Sequence, residues 1–324
     1  MAIRRGKTVI NEIKPKVIAY ASAVGKKESK GPLGKEFDEI YEDTTMGEDS
    51  WEKAESLYLK SAVNKAISKS QLQKSDIDII CSGDLLNQCI GSSFGIRDFG
   101  LPFCGLYGAC STMALSLCVT SLMIETGAFT NCIAATSSHF CSAEKQFRKP
   151  LEYGGQRSPT AQWTVTGSGA LILGKAEKGP YINAVTFGEI EDLGVTDANN
   201  MGPAMAPAAA DTLTRFLSDT HTCPDDYDLI LTGDLSAVGA QLFCDLTAQN
   251  GIRLGNRYND CGLMLYDRAT QDVHAGGSGC GCAAAVLCGH ILPTLPDIFE
   301  VRPYLLLLLD IWVFCPFYCT AANS

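Results

Sequence analysis

Short apolar runs, each preceded by an amphipathic stretch, recur along the chain. Residues 77–81 and 227–231 are rich in β-forming side chains and have the length of buried strands. A helix is predicted before each run: Ser50 can cap the first, and the second covers residues 208–217 after Pro207. The predicted buried face of the first helix consists of Trp51, Ala54, Tyr58 and Ala62. A helix that leads into a buried strand, found twice, indicates an α/β architecture.

The two predicted strands belong to an internal repeat. Residues 76–85 (DIDIICSGDL) and 226–235 (DYDLILTGDL) agree at six of ten positions, with a constant offset of 150. A weaker match relates residues 107–112, which precede a helical run, to residues 275–280. Such a repeat predicts a duplicated structural unit. We expect an N-terminal half over residues 1–180, a C-terminal half over residues 181–290 and a divergent apolar tail over residues 291–324.

Asp84 and Asp234 occupy equivalent positions directly after the two predicted strands. In open α/β sheets, ligands bind beyond the carboxyl ends of the strands. An aspartate in such a place also commonly caps the following turn. Two interpretations therefore stay open, a shared ligand pocket or two separate structural caps.

Cys110 lies at a predicted turn-to-helix junction, directly before Ser111. The free N–H groups and positive potential of a helix N-terminus favour a thiolate, and they also bind carboxylates. The position therefore suits a nucleophile or the floor of an anion site. A buried inert thiol is the third interpretation, because the chain has 15 cysteines.

Composition excludes several classes of protein. The net charge is −10 and no basic stripe is present, so we expect no nucleic-acid partner. Residues 1–25 lack a long apolar stretch, so no signal peptide is predicted, and the scattered cysteines indicate a reduced, cytosolic chain. The four histidines are far apart and Cys280-x-Cys282 has no companion pair, so we expect neither a resident metal nor another cofactor.

Several motifs resemble known proteins. The segment Ala109-Cys110-Ser111, together with GSGA at residues 167–170, resembles the thiolase and ketoacyl-synthase superfamily. Longer stretches between about residues 7 and 290 resemble the stage V sporulation protein AD family. They include GDLLNQ at 83–88, LYGACST at 106–112, ATSSH at 135–139, MAPAAADT at 205–212 and AGGSGC at 275–280.

The resemblance implies a layered αβαβα thiolase-like fold built from two duplicated halves. Members of this family bind dipicolinic acid, a planar ring with two carboxylates. They help to move it, as the calcium chelate, into the developing spore with membrane proteins of the same operon. The resemblance thus implies a peripheral location on the cytoplasmic face of the spore inner membrane. The candidate ligand-binding residues are Asp84, Asn87, Cys110, Ser111, Ser138, His139, Asp234, Ser236 and Ser278.

The residues that a condensing enzyme needs are replaced. Superfamily enzymes pair the cysteine with two histidines or with histidine and asparagine, and thiolases pair it with histidine and a second cysteine. Where the histidine is expected the chain reads TGDLS (232–236), and the expected asparagine loop reads GGSG (276–279). We therefore expect a ligand-binding protein whose thiolase-type site is degenerate. Any Ca²⁺ is expected to arrive with the ligand and not to be a resident cofactor. Two alternatives are an acyltransferase or condensing enzyme that uses Cys110, and a purely structural scaffold. By analogy with thiolases, we also expect a homodimer.

Charge repulsion is a difficulty for a dicarboxylate at Asp84 and Asp234. Two like charges near 4 Å cost about 4 kcal/mol at an effective dielectric of 20. A bridging Ca²⁺, protonation of one aspartate by burial, or aspartates that cap backbone would each remove the conflict.

The apolar tail leaves the family pattern from about Ile291. Three interpretations are open: a short membrane helix, a replacement strand, or the product of a reading-frame shift in the gene, which we favour.

Overall fold

The computed structural model describes residues 2–147, 157–197, 199–298, 313–314 and 317–318. The helices are α1 (Trp51–Ser70), α2 (Ile90–Ile96), α3 (Thr112–Glu125), α4 (Phe140–Phe147), α5 (Gly202–Thr220), α6 (Ser236–Gln249), α7 (Cys261–Leu265), α8 (Cys280–Val286) and α9 (Leu292–Ile298). A π-helical turn, Leu287–Ile291, joins the last two. The strands are β1 (Ile3–Arg5), β2 (Thr8–Ile10), β3 (Lys16–Gly25), β4 (Glu39–Tyr41), β5 (Ile79–Gly83), β6 (Phe103–Gly105), β7 (Asn131–Ser138), β8 (Trp163–Thr164), β9 (Gly167–Gly174), β10 (Tyr181–Ile182), β11 (Ala184–Phe187), β12 (Ile230–Thr232), β13 (Tyr258–Asp260), β14 (Gly277–Ser278), β15 (Val313–Phe314) and β16 (Phe317–Tyr318).

The largest sheet has the strand order β16-β10-β3-β9-β7-β5-β6, and β4 pairs with β3. Strand β5 is parallel to β6 and β7, whereas β9 is antiparallel to β7 and β3. Alternate side chains of β9 enter different cores. Leu171 and Leu173 pack with α3 and α8, and Ala170 and Ile172 pack with α1. Helices thus cover both faces of this sheet.

Strands from both halves form the smaller sheets. Strands β1, β2, β11 and β15 form an antiparallel sheet, and β12 pairs in parallel with β13. The apolar faces of α5 and α6 meet in a separate core that contains Phe216, Ile230 and Phe243. The layered α/β architecture expected from the sequence is therefore present.

The duplication extends to details of the backbone. Helices α1 and α5 both end in a left-handed residue, Gln71 (φ 63°) and His221 (φ 56°), which are 150 positions apart like the sequence repeat. A 3₁₀ turn follows each helix, and in each turn an aspartate accepts a hydrogen bond from a backbone N–H three residues earlier. These aspartates are Asp76 and Asp226. The repeated sequence is thus a repeated helix–turn–strand unit.

Two details of the predicted helices need correction. The second helix begins at Gly202 rather than at residue 208, and Pro207 lies inside it. The proline removes a single N–H, and the remaining hydrogen bonds continue the helix. In α1, Ser50 caps the helix as predicted and Tyr58 is buried, but Trp51 is 37% exposed because it precedes the turn that packs on the sheet.

Helix α8 connects the halves because its sequence, CGCAAAV, has only small side chains before its valine. All seven residues are buried against β7 and β9. A Cβ atom added to Gly281 would lie 2.4 Å from Ser138 Oγ, so only glycine allows this approach.

The described part of the tail consists of two short strands. Strand β15 pairs with β11 and β16 pairs with β10, both antiparallel. These pairings match the replacement-strand interpretation where the tail is described, and the origin of the tail in the gene stays a prediction. Within the described ranges, no helix has the length and apolar character needed to cross a membrane.

Candidate functional site

Cys110 lies in a tight turn between β6 and α3. Ala109 has a left-handed backbone (φ 49°), and the 3₁₀ turn Ala109–Ser111 leads directly into α3. The cysteine is buried, with 7% exposure, and belongs to the apolar cluster that contains Met205 and Ala206 of α5. The thiol therefore lies where the first half meets a helix of the second.

Tyr107 stands at the surface above this turn, with 53% exposure. Partial burial raises the pKa of its phenol, and the nearby thiols of Cys110 and Cys280 raise it further. Sequence reasoning missed this residue, although it lies in the same motif as Cys110. Its exposed ring forms part of the outer boundary of the site.

Asp84 is fully buried and caps backbone. Its Oδ1 accepts a hydrogen bond from Leu86 N at 2.8 Å, and its Oδ2 accepts from both N and Oγ of Ser92 at 2.6 Å. Burial raises the pKa of Asp84, and the hydrogen bonds from Ser92 oppose that shift. Both oxygens are therefore engaged within the first half.

Asp234 is also fully buried, but it reaches across to another loop. Its Oδ2 accepts a hydrogen bond from Gly279 N at 2.5 Å, and its backbone carbonyl accepts one from Gln162 Nε2 at 2.6 Å. Its Oδ1 has no hydrogen-bond partner among the described residues. The position expected to carry a histidine thus directly contacts the loop expected to carry an asparagine.

Ser138 ties the end of β7 to the start of α8. Its hydroxyl donates to Val165 O at 2.7 Å and accepts from Gly281 N at 3.2 Å. The thiol of Cys280 donates to Ser137 O at 3.1 Å. Two successive residues of β7 therefore hold the N-terminal turn of α8.

His139 is buried and both of its ring nitrogens bond to backbone. Nδ1 accepts a hydrogen bond from Cys141 N at 3.2 Å, so Nε2 carries the proton and donates it to Thr44 O at 3.0 Å. Burial lowers the pKa of the imidazole, which keeps the ring neutral. His139 therefore orients backbone in this structure.

The other predicted ligand-binding residues lie in separate turns and strand ends. Ser111 donates to Gly108 O at 2.7 Å, and Ser236, with a left-handed backbone (φ 54°), donates to Gly277 O at 2.6 Å. Ser278 ends β14 and is 7% exposed. Asn87 is exposed, and its backbone N–H donates to Gln146 Oε1 at 3.3 Å.

Two buried carboxyl groups that sequence reasoning missed support this region. Glu55 of α1 lies close to Asp84, and burial, reinforced by that neighbour, raises its pKa to about 8. Asp260 accepts hydrogen bonds from the backbone N–H groups of Leu235 and Ser236 at 2.9 Å, and burial raises its pKa to about 6. A glutamate within an apolar helix face and an aspartate ending β13 were the signals available in the sequence.

The charges of Asp84 and Asp234 both act on one buried thiol. Burial raises the pKa of Cys280 well above its usual value, and Glu55, Asp84 and Asp234 add to the shift through their charges. The thiol is fully buried, which makes it inert as a nucleophile. Three buried carboxyl groups thus oppose ionisation of the first residue of α8.

No group of three or more His, Cys, Asp or Glu side chains with the arrangement of a metal site occurs in the described ranges. Asp84 and Asp234 accept hydrogen bonds from Ser92 and Gly279, and these donors compete with a resident ion.

Solved structures with the same fold are enzymes of the thiolase-like group. A cerulenin-bound OleA of Xanthomonas campestris has a TM-score of 0.67 at 11% identity, covering 98% of this chain and 99% of that one. The 3-oxoacyl-[acyl-carrier-protein] synthase III of Aquifex aeolicus has a TM-score of 0.61 at 12% identity, covering 94% and 99%. At these identities the likeness shows the thiolase-like fold alone.

Sequence comparison gives the family. The family model described as stage V sporulation protein AD (SpoVAD) matches residues 5–300. The stage V sporulation protein AD of Bacillus subtilis (strain 168) is 46% identical over 281 residues, which cover 87% of this chain and 83% of that protein. The chain therefore belongs to the stage V sporulation protein AD family.

Proposed function

We propose that this sporulation protein binds dipicolinic acid, or its calcium chelate, for uptake into the developing spore and does not catalyse condensation. Membership of the family supports a role in spore formation. The ligand follows from the resemblance set out above. The argument against condensation follows from the contacts of the site.

The observation that carries the proposal is the hydrogen bond from Gly279 N to Asp234 Oδ2. A condensing enzyme places hydrogen-bond donors here to stabilise the negative charge that develops on a thioester oxygen. A carboxylate instead repels such a charge, and it also occupies the N–H of Gly279. The site therefore disfavours the transition state of acyl transfer.

Neither His139 nor His274 replaces the missing base. Both ring nitrogens of His139 bond to backbone. Those of His274 face Ser158 O at 2.6 Å and Asp272 Oδ1 at 3.1 Å. A nucleophilic thiol needs a base within hydrogen-bond reach, and these two imidazoles have other partners.

The charge conflict with a dicarboxylate is resolved if calcium accompanies the ligand. Asp84 has both oxygens saturated by donors, whereas Asp234 Oδ1 has no partner in the described chain. Ca²⁺ prefers carboxylate oxygens, and the dipicolinate chelate leaves coordination positions for further ligands. Asp234 Oδ1 is thus the oxygen that we expect to contact the cargo ion.

Isothermal titration calorimetry with dipicolinate, in the presence and absence of Ca²⁺, tests this proposal. We expect the wild type to bind, and Asp234→Asn to lose about tenfold more affinity for the chelate than for the free ligand. Asp245→Asn, an exposed aspartate of α6, is the matched control and should bind like the wild type. Absence of binding by the wild type in both conditions would refute the function, and an equal loss for both ligands would refute the calcium contact.

The enzyme alternative is tested by acylation of Cys110. We expect no mass increase at this residue after incubation with acyl-CoA, and no release of free CoA. Cys110→Ser and Cys223→Ser, the latter an exposed cysteine, separate site-specific from surface acylation. Turnover that disappears only in Cys110→Ser would establish the acyltransferase instead.

We also propose that the chain is peripheral to the cytoplasmic face of the spore inner membrane, held by membrane proteins of the same operon. The family relation supports this placement. Fractionation of sporulating cells should recover the protein with membranes, and deletion of those partner genes should release it. Unchanged membrane recovery after the deletion would contradict attachment through these partners.

A homodimer is proposed through the free edge of the large sheet. Strand β6 ends the sheet and is exposed, and it carries the exposed side chain of Phe103 (37%). The exposed apolar side chains of Ile90 (42%) and Phe94 (55%) belong to the neighbouring helix α2. A flat, exposed edge with apolar neighbours commonly pairs with a second copy. Phe94→Asp should therefore shift sedimentation velocity profiles towards monomer, whereas Ile190→Asp, at an exposed position elsewhere, should not. A monomeric wild type would contradict this proposal.

A further inference from the structure

Basic side chains gather at one place on this acidic protein, which has a net charge of −10. Arg157 Nη2 donates to Asp272 O at 3.0 Å, and Lys27 Nζ donates to the same carbonyl at 2.8 Å. Arg268 Nε donates to His274 O, two residues further along, at 3.0 Å. Three cations thus converge on the segment 272–274.

An aromatic pair supports two of these cations. Trp163 stacks on Phe140 at a centroid distance of 3.7 Å and an interplanar angle of 8°. Because Phe140 fills one face of the indole, Lys27 Nζ, at 3.3 Å from the ring centroid, occupies the other. Arg157 Cζ also lies over the ring, at 4.6 Å. Cation–π contacts therefore fix the positions of both charges.

The carboxylates near Lys27 and Arg157 do not neutralise both positive charges. Asp272 forms the ion pair with Arg157, at 2.7 Å, but its side chain is 73% exposed. Glu28, the neighbour of Lys27, is turned into the core, where it accepts a hydrogen bond from Thr166 N at 3.0 Å. Arg157 Nη1 has no hydrogen-bond acceptor in the described part of the chain. This nitrogen is buried, so among the described residues the guanidinium has one unpaired donor inside the protein.

A cavity adjoins this cluster. Its volume is about 510 Å³, and the described residues that line it are Arg157, Ser158, Pro159 and His274. This volume falls in the range of small-molecule sites. Strand β8, which contains Trp163, pairs with β14, which ends at Ser278.

We propose that this cavity is a carboxylate-binding site in which Arg157, with the charge of Lys27 close by, binds a small aromatic dicarboxylate. A guanidinium N–H forms a strong, charge-assisted hydrogen bond to a carboxylate, and a nearby ammonium adds a second charge. The carboxylates of Asp84 and Asp234 repel a free dianion, whereas this basic cluster attracts it. The identity of the ligand as dipicolinate rests on the proposed function.

Calorimetry with two ligands separates the site from the function. Isophthalate has the same two carboxylates as dipicolinate but lacks the ring nitrogen that helps to chelate calcium. We expect Arg157→Gln to weaken binding of both ligands about tenfold or more, and rising salt to weaken wild-type binding. Arg253→Gln, at an exposed arginine outside the cluster, should bind like the wild type. Lys27→Met provides a second variant if Arg157→Gln fails to fold.

Each outcome has a distinct meaning. If dipicolinate binds the wild type and both cluster variants equally, this site is wrong and the proposed function stands. If isophthalate binding depends on Arg157 while dipicolinate does not bind, the site stands and the function is wrong. If neither ligand binds the wild type, both are wrong.

Discussion

Replacing Glu55 by glutamine should make the stability of the protein less sensitive to alkaline pH. Glu55 is fully buried in α1, with Oε2 at 2.5 Å from Ser142 Oγ. The same hydroxyl lies 3.0 Å from His139 O and has a single proton to donate. A protonated Glu55 that donates to Ser142 satisfies both contacts, because the serine can then donate to His139 O. The amide N–H of glutamine can take over that donation.

The pKa of Glu55 sets the size and the sign of the effect. It rises from 4.5 to about 8 through burial, with a further contribution from Asp84. Above pH 4.5 the unfolded chain releases a proton that the folded chain keeps, so stability falls as pH rises and levels off above about 8. At about 1.4 kcal/mol per pH unit, this single group costs roughly 3 to 4 kcal/mol between pH 5 and pH 8. Glutamine does not titrate and removes that cost.

The assay is the free energy of unfolding from urea titrations of wild type and Glu55→Gln at pH 5, 6, 7 and 8. We expect similar stability at pH 5 and a variant more stable by about 3 kcal/mol at pH 8. Glu52→Gln, one turn earlier on α1, is the control. Burial raises the pKa of Glu52, but the hydrogen bond from Lys145 outweighs that effect and the pKa is lowered. The change in stability caused by Glu52→Gln should therefore be the same from pH 5 to pH 8. A difference between wild type and Glu55→Gln that does not change with pH would refute the assignment of a protonated Glu55.

Two further substitutions test the packing of the site. Gly281→Ala places a Cβ atom 2.4 Å from Ser138 Oγ and should destabilise the protein by about 3 kcal/mol. Gly105→Ala, with a nearest contact of 3.4 Å, should change the free energy of unfolding by about 0.5 kcal/mol or less. Equal melting temperatures for the two variants would contradict the close approach of α8. Asp260→Asn replaces one acceptor oxygen by a donor facing backbone N–H groups and should cost about 3 kcal/mol in urea unfolding, a result to be compared with the exposed Asp245→Asn.

The repeat and its local structure could be predicted from the sequence because they depend on neighbouring residues. The cap at Ser50, the strand before Asp84 and the turn before Cys110 each follow from side chains within a few positions. The duplication gave the strand and its following aspartate a second time, at residues 227–234. Where it failed, at the start of α5, a proline that usually begins helices was tolerated inside one.

The site was harder to predict because its contacts join distant residues. His139 looked like a ligand-binding residue, but Thr44, 95 positions away, binds its Nε2. Arg157 and Lys27 gave no signal in the sequence, since their shared partner Asp272 is more than 100 positions from either. Charge clusters assembled from three separate segments have no local pattern.

The repeated aspartates at the two strand ends, Asp84 and Asp234, have different hydrogen-bond partners although the motif around them is the same. Asp84 is anchored by Ser92, and the residue 150 positions after Ser92 is Leu242, which has no hydroxyl to offer. In the second half Asp260, from the neighbouring strand β13, holds the backbone after β12 instead. Asp234 is thereby released from capping its own turn and can bind Gly279 across the junction. The divergence of the two halves therefore arises outside the shared motif, and it leaves one aspartate structural and the other facing the site.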